Sequence, residues 1–215
     1  MTYDLEEQEQ LDAIKAWWAK YGNLILTLIT VVLMAVAAWQ WWNWHQRNQA
    51  AEAAGVFEAL QSAVDQGQAS QILDASARLQ DNYPKTAYAP RGALLAATAL
   101  QQAGDTAAAR ERLQWVIHQN NPALAPVARL RLAAVLIDAN LATEALALLP
   151  TEAPAGFEGL YADRRGDVLF ALGRTTDAAA AWQGALRSLG PTDPLASVIQ
   201  LKLEALAGVD AREAA

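Results

Sequence analysis

The residues of this chain that are best equipped for chemistry are few and far apart. Its only histidines are His45 and His118, and neither has a second histidine one helical turn away, the spacing a metal site on a helix needs. Cysteine is absent, which removes thiolate ligands, thiol nucleophiles and disulfides. There is no glycine-rich phosphate loop and no Gly-x-Ser-x-Gly elbow. One cluster remains, Ala162-Asp163-Arg164-Arg165-Gly166-Asp167. Asp163 and Asp167 stand four residues apart on one helix face, the arrangement of an acid pair. The two arginines beside them instead predict a solvated ion-pair surface. The expectation is a chain with no catalytic residue, no metal, no cofactor and no small-molecule substrate.

The elements that surround these residues begin with tryptophan. Six of the eight tryptophans fall between residues 17 and 44. Between them, Leu24 to Trp42 is a run of nineteen residues with no charge, interrupted only by Thr27, Thr30 and Gln40. A helix of that length spans about 28 Å, the hydrocarbon thickness of a bilayer. Trp17, Trp18 and Tyr21 on one side and Trp39, Trp41, Trp42 and Trp44 on the other are placed as anchors at the two interfaces. One membrane helix over residues 23–44 is predicted, with Thr27, Thr30, Ala35, Ala37 and Ala38 as small or hydroxyl positions for helix contact. A core helix would leave the doubled tryptophan belts without a reason. A cleaved leader has the small-x-small site Ala35-Val36-Ala37, but the segment before the run carries Asp4, Glu6, Glu7, Glu9 and Asp12, where a leader is short and basic.

Lys15 and Lys20 precede the helix and Arg47 follows it, so the positive-inside rule puts residues 1–22 in the cytoplasm and residues 45–215 across the membrane. Leu11, Ile14, Trp18 and Tyr21 recur at helical spacing, the stripe of a short interfacial helix; an unstructured acidic tail anchored by tryptophan is the alternative. Gly22 reads as a helix stop and Asn23 as the cap of the spanning helix.

From Asn48 onward the chain has 18 acids and 13 bases, a net charge of −5, and no basic patch interleaved with aromatics. Nucleic acid is an unsuitable partner for such a surface. The same region repeats. Aligned on the helix-breaking positions Gly67, Gly104, Asn140 and Gly173, its units are 37, 36 and 33 residues apart, the period of stacked helical hairpins. Seven residues before these markers stand Leu60, Ala97, Ala133 and Gly166; five after, Ile72, Ala109, Ala145 and Ala178; nine after, in the last three units, Leu113, Leu149 and Trp182. Small residues let the paired helices approach, and a large one a turn later fills the gap to the next unit. These positions match the tetratricopeptide pattern, with prolines closing units near Pro84, Pro122 and Pro191. Residues 52–84 match only in their glycine turn, Pro150 cuts one helix short, and residues 194–208 read as a capping helix. An irregular alanine-rich bundle is the competing reading. Either way the fold class is all-α.

Repeat stacks bind along their concave face, which the first helix of each unit lines. The alignment places Phe57, Gln61, Leu94, Thr98, Gln101, Leu130, Ala134, Ile137, Asp163, Asp167 and Phe170 there, a strip of mixed apolar and acidic character. Without Lys, Arg or Asn it does not suit a terminal carboxylate, and an apolar helix or an unfolded segment fits better. Leu94, Leu130, Ile137 and Phe170 also read, one by one, as core.

The acidic N-terminus, the aromatic-Lys-x-Gly-type approach to a single membrane helix, the exit Trp41-Trp42-Asn43-Trp44-His45-Gln46 and the degenerate repeats with Asp163 to Asp167 together resemble the ancillary SecYEG translocon subunit family of Gram-negative inner membranes. The resemblance covers essentially the whole chain. It implies a single-pass protein with a periplasmic tetratricopeptide-like domain that meets the Sec translocon, a membrane-anchored periplasmic chaperone of the prolyl-isomerase type, and nascent secretory proteins. No residue-level binding site comes with it. Two other functions fit the same architecture: a regulatory protein acting through its cytoplasmic tail, and a subunit of another inner-membrane envelope assembly.

Overall fold

The computed structural model of the chain describes the backbone of residues 3–190 and 192–213. The closing proline expected at Pro191, and Met1 at the start of the expected tail, lie outside the described residues. Among the described residues every regular element is an α-helix, and the chain divides after Ala51 into two compact units.

The first unit consists of helix α1, which runs without a break from Tyr3 to Asp65 and so continues beyond the unit. The stop expected at Gly22 does not occur. A lone helical glycine costs only about 1 kcal/mol relative to alanine, and no proline interrupts the hydrogen-bond ladder over these residues. Gly22 instead accommodates the Trp18 indole, whose nearest atom is 3.0 Å from where a β-carbon would sit. Thr27 and Thr30 donate their hydroxyl protons to the carbonyls of Asn23 and Leu26, at 2.7 and 2.8 Å. That removes two unpaired donors from the apolar stretch and leaves those protons unavailable to a neighbouring helix. Apart from half-buried Ile25, the large apolar side chains of the stretch stay exposed, from 49% at Ile29 to 67% at Leu24. This helix is long and apolar enough to cross a membrane.

The second unit, residues 52–215, is a row of helical hairpins. Residues 52–65 of α1 share an apolar core with α2 (Ala69–Asn82); α3 (Tyr88–Gln102) pairs with α4 (Thr106–His118), α5 (Leu124–Asp138) with α6 (Ala142–Ala147), and α7 (Glu158–Ala171) with α8 (Thr175–Ser188). A last helix, α9 (Pro194–Glu213), packs on α8. All four hairpins turn in the same way. Gly67, Gly104, Asn140 and Gly173 have φ of 65°, 85°, 60° and 73°, the left-handed region. The next amide then bonds back five residues: Gln68 to Ala63, Asp105 to Leu100, Leu141 to Leu136 and Arg174 to Leu169, at 2.8–2.9 Å. This closure satisfies carbonyls that a helix end leaves open. The first hairpin, expected to match only in its glycine, therefore shares the full turn geometry of the others. After α6, Pro150 and Pro154 hold an irregular loop, to which the Arg165 guanidinium donates at the Leu149 carbonyl.

Alanine fills the crossings. Ala53, Ala89, Ala93, Ala96, Ala109, Ala128, Ala133, Ala145, Ala178 and Ala185 are all fully buried, and one apolar core extends from α1 to α7 with a second joining α7, α8 and α9.

The turns generate a test with two signs. Gly104→Ala and Gly173→Ala place a β-carbon on a left-handed residue and are expected to lower stability by about 1–2 kcal/mol each. Gly55→Ala, on α1 with open space around it, is expected to raise stability by about 0.5–1 kcal/mol. Urea midpoints at unchanged m-value measure both.

Candidate binding face of the repeat unit

The concave strip expected from the sequence is split by the structure into sealed and open parts. Phe57 is half-buried, its ring 5.6 Å from that of Tyr88, and Gln61 is exposed. Leu94 is 7% exposed and belongs to the core, as one of its two expected roles allowed. Thr98 is exposed, Gln101, Leu130, Ala134 and Ile137 are half-buried, and Phe170 is 48% exposed. Asp163 is only 6% exposed and Asp167 is half-buried.

Two sets of polar contacts tie this face together. Between α3 and α5, Arg131 donates from Nη1 to the Leu94 carbonyl at 3.2 Å and to Thr98 Oγ1 at 3.1 Å, and Gln101 Nε2 donates to Asp138 at 3.1 Å. Between α7 and α9, Lys202 Nζ lies 2.7 Å from Asp163 Oδ1 and 2.6 Å from Asp167 Oδ1. Asp167 also accepts from Trp182 Nε1 on Oδ1 and from Arg164 Nη1 on Oδ2, both at 3.1 Å. Lys202 further stands 5.7 Å above the Trp182 ring.

These contacts correct two expectations. Asp163 and Asp167 do form an ion-pair group, but α9 packs over it, so that Asp163 is buried and only Asp167, Lys202 and Arg164 keep part of their surface in solvent. The strip also does not lack basic residues: Arg131 and Lys202 stand on it. The alignment missed both, because it followed the one register line that carried the apolar residues. A signal existed for the lysine, since Lys202 lies 39 residues after Asp163, about one repeat on.

Burial pushes the Asp163 carboxyl above its ordinary range; the Lys202 hydrogen bond opposes this, the Asp167 charge adds to it, and the charges of Lys202 and Arg164 oppose it. Charge on Asp163 is thus tolerated at a cost, and Lys202 offsets part of that cost.

The residues expected at helix crossings are all interior. Ala97, Ala133, Ala109, Ala145 and Ala178 are at most 2% exposed, as are Leu113 and Leu149, and Trp182 is 4% exposed. Gly166 is also buried, and the Trp182 indole lies against it where a β-carbon would be. Phe170 packs beside the same indole at 5.9 Å between ring centroids. In the first unit Trp17, Trp18, Tyr21, Trp39, Trp41, Trp42 and Trp44 are exposed by 40–64%. Trp17 leans on Tyr21 at 5.7 Å, and Trp41 stacks on His45 at 5.9 Å.

Comparison with known proteins accords with this architecture. Residues 15–208 match the family model described as a tetratricopeptide repeat-like domain. An ancillary SecYEG translocon subunit of Neisseria gonorrhoeae is 27% identical over 208 residues, covering 96% of this chain and all of the relative. A protein of the same name from Haemophilus influenzae is 27% identical over 174 residues, 80% of this chain and 85% of the relative.

Two measurements probe the cluster. Gly166→Ala drives a methyl into the indole and is expected to cost about 1–3 kcal/mol, whereas Gly184→Ala on α8, which meets only the Arg187 side chain at 3.7 Å, should cost nothing. Asp163 provides the pH test. Between its ordinary value of 3.8 and its raised folded value the folded chain binds more proton than the unfolded chain, so this group adds stability as pH falls through that window. Asp163→Asn lacks that gain. The stability of the wild type relative to this variant, read from urea midpoints, is expected to rise between pH 7 and pH 4; a fall would reverse the assignment.

Proposed function

The chain belongs to the tetratricopeptide repeat-like domain family, and from that premise we propose that it is a membrane-anchored, non-enzymatic scaffold serving as an ancillary subunit of the SecYEG translocon. The observation that carries this reading is the extent of the likeness: relatives named for that role match over 96% and 80% of the chain. The physical features agree with it. An apolar helix with exposed side chains needs a lipid or protein environment, and a row of helical hairpins provides an extended surface for proteins.

In this reading residues 1–22 are cytoplasmic, residues 23–44 span the inner membrane and residues 45–215 lie in the periplasm. Lys15 and Lys20 against Arg47 set the orientation. Trp18 and Trp41, about 34 Å apart along one helix, mark the two interfaces. The repeat unit then holds a membrane-anchored periplasmic chaperone of the prolyl-isomerase type, or an emerging secretory chain, close to the translocon exit. Contacts between membrane helices average about 0.6 kcal/mol each, so the membrane helix alone binds weakly and the repeats must contribute the rest.

Extraction in mild detergent followed by native mass spectrometry is expected to recover the chain with SecYEG. Removing residues 52–215 should deplete a periplasmic chaperone from that complex more than it depletes SecYEG. Protease added to spheroplasts should digest the repeats and spare the membrane helix. A protected repeat unit would overturn the orientation, and a complex without SecYEG would overturn the assignment.

A further inference from the structure

Beside Ile137, Asp167 and Phe170 of the strip is a cleft of about 450 Å³ whose walls come from four helices: Ile137 of α5, Phe170 and Ala171 of α7, Trp182 of α8, and Lys202 and Leu206 of α9. That volume lies in the range of about 300–1,000 Å³ typical of ligand sites. Its lining is almost wholly apolar, and the polar groups at its floor are already engaged. Lys202 binds Asp163 and Asp167, and Asp167 is completed by Trp182 and Arg164. Two carboxylates face two cations there, so the floor is neutral and offers no open charge to a small polar ligand. At the mouth, Phe170 leaves 48% of its surface in solvent.

The surroundings specify what the cleft can receive. Asp138 follows Ile137 and Glu204 precedes Ala205, a further lining residue, and both acids are exposed. The unit as a whole has 18 acids against 13 bases. A segment with positive charge around an apolar anchor is therefore attracted, and an acidic one repelled. The walls are helices whose interior backbone groups already bond along their own axes, so an extended peptide would find few main-chain partners. An incoming helix brings its backbone already satisfied.

We propose that this cleft is the anchor site of the repeat unit, which takes one or two large apolar side chains from a basic amphipathic helix of a partner protein. This rests on the scaffold reading above and names the chemistry by which the repeats recognise their partner. Lys202 is a positioning residue here: by binding Asp163 and Asp167 it holds α9 as the fourth wall.

The test uses the full chain in nanodiscs of zwitterionic lipid, with the photo-crosslinker p-benzoylphenylalanine introduced at Phe170. The probe is a Leu/Lys amphipathic peptide of about 18 residues, roughly five turns, with a Leu/Glu peptide of the same pattern beside it. Crosslinking to the Leu/Lys peptide is expected, and the Leu/Glu peptide should give a small fraction of that yield. Ala171→Trp and Ala205→Trp fill the cleft from exposed positions, and each is expected to lower peptide capture about tenfold or more. Helical circular dichroism and an unchanged melting temperature show that these variants fold. Undiminished capture by both filled variants, equal capture of the acidic peptide, or adducts only with lipid or with a second copy of the chain would overturn the proposal. SecYEG recovery from the same preparations separates the two readings. Recovery without peptide capture sinks the cleft alone, whereas absent SecYEG in the unsubstituted chain sinks the scaffold assignment.

Discussion

One left-handed residue lets a helix reverse within three residues, and the repeat unit does this four times with one hydrogen-bond pattern. The shared geometry turns each second helix back towards the first. Side chains at equivalent distances from the turn then meet at equivalent crossings. Positions seven before and five after the turn are small in the last three hairpins, where the backbones cross closely, whereas the first hairpin fills them with Leu60 and Ile72. Asn140 occupies the left-handed position in the third hairpin, where its short polar side chain tolerates a conformation that costs most residues about 1–2 kcal/mol.

The last hairpin takes close approach furthest. Gly166 has no β-carbon, so Trp182 lies directly on the helix backbone, and its indole nitrogen comes within reach of Asp167. The same ring forms one side of the seat of Lys202. A single absent methyl thus allows a cluster in which two acids, two bases and an indole satisfy one another at the join of α7, α8 and α9. Such a buried cluster adds less to stability than its short distances suggest, because removing the charges from water is costly. Its effect is on position, since α9 has one place where the lysine meets both carboxylates.

The first unit has the composition of a helix suited to hydrocarbon rather than water. In water a glycine, two threonines and a row of exposed leucines and valines would be defects in a helix. In hydrocarbon the exposed apolar side chains are at rest, and the threonines bond their own backbone. The absence of proline and of charge from residues 24–42 matters more there than helix propensity.

Much of this was legible in the residues, because the determining constraints are local. The left-handed positions announced themselves as Gly67, Gly104, Asn140 and Gly173 at a steady period, and the uncharged apolar run announced a helix long enough to cross a membrane. The all-α class followed from the period of the helical hairpins. What the residues could not convey were relations between distant helices. Whether Gly22 ended a helix depended on a weak local preference that the uninterrupted ladder overrode. Whether Asp163 faced water depended on Lys202, a repeat away in sequence, and Arg131 reached the inner face only because α3 and α5 lie side by side. The cleft under Phe170 has no sequence signature at all, since its four walls come from four helices. Local propensity and period determine which segments become helices and where they turn; burial, charge pairing and cavities are properties of surfaces brought together, and only the packed chain decides them.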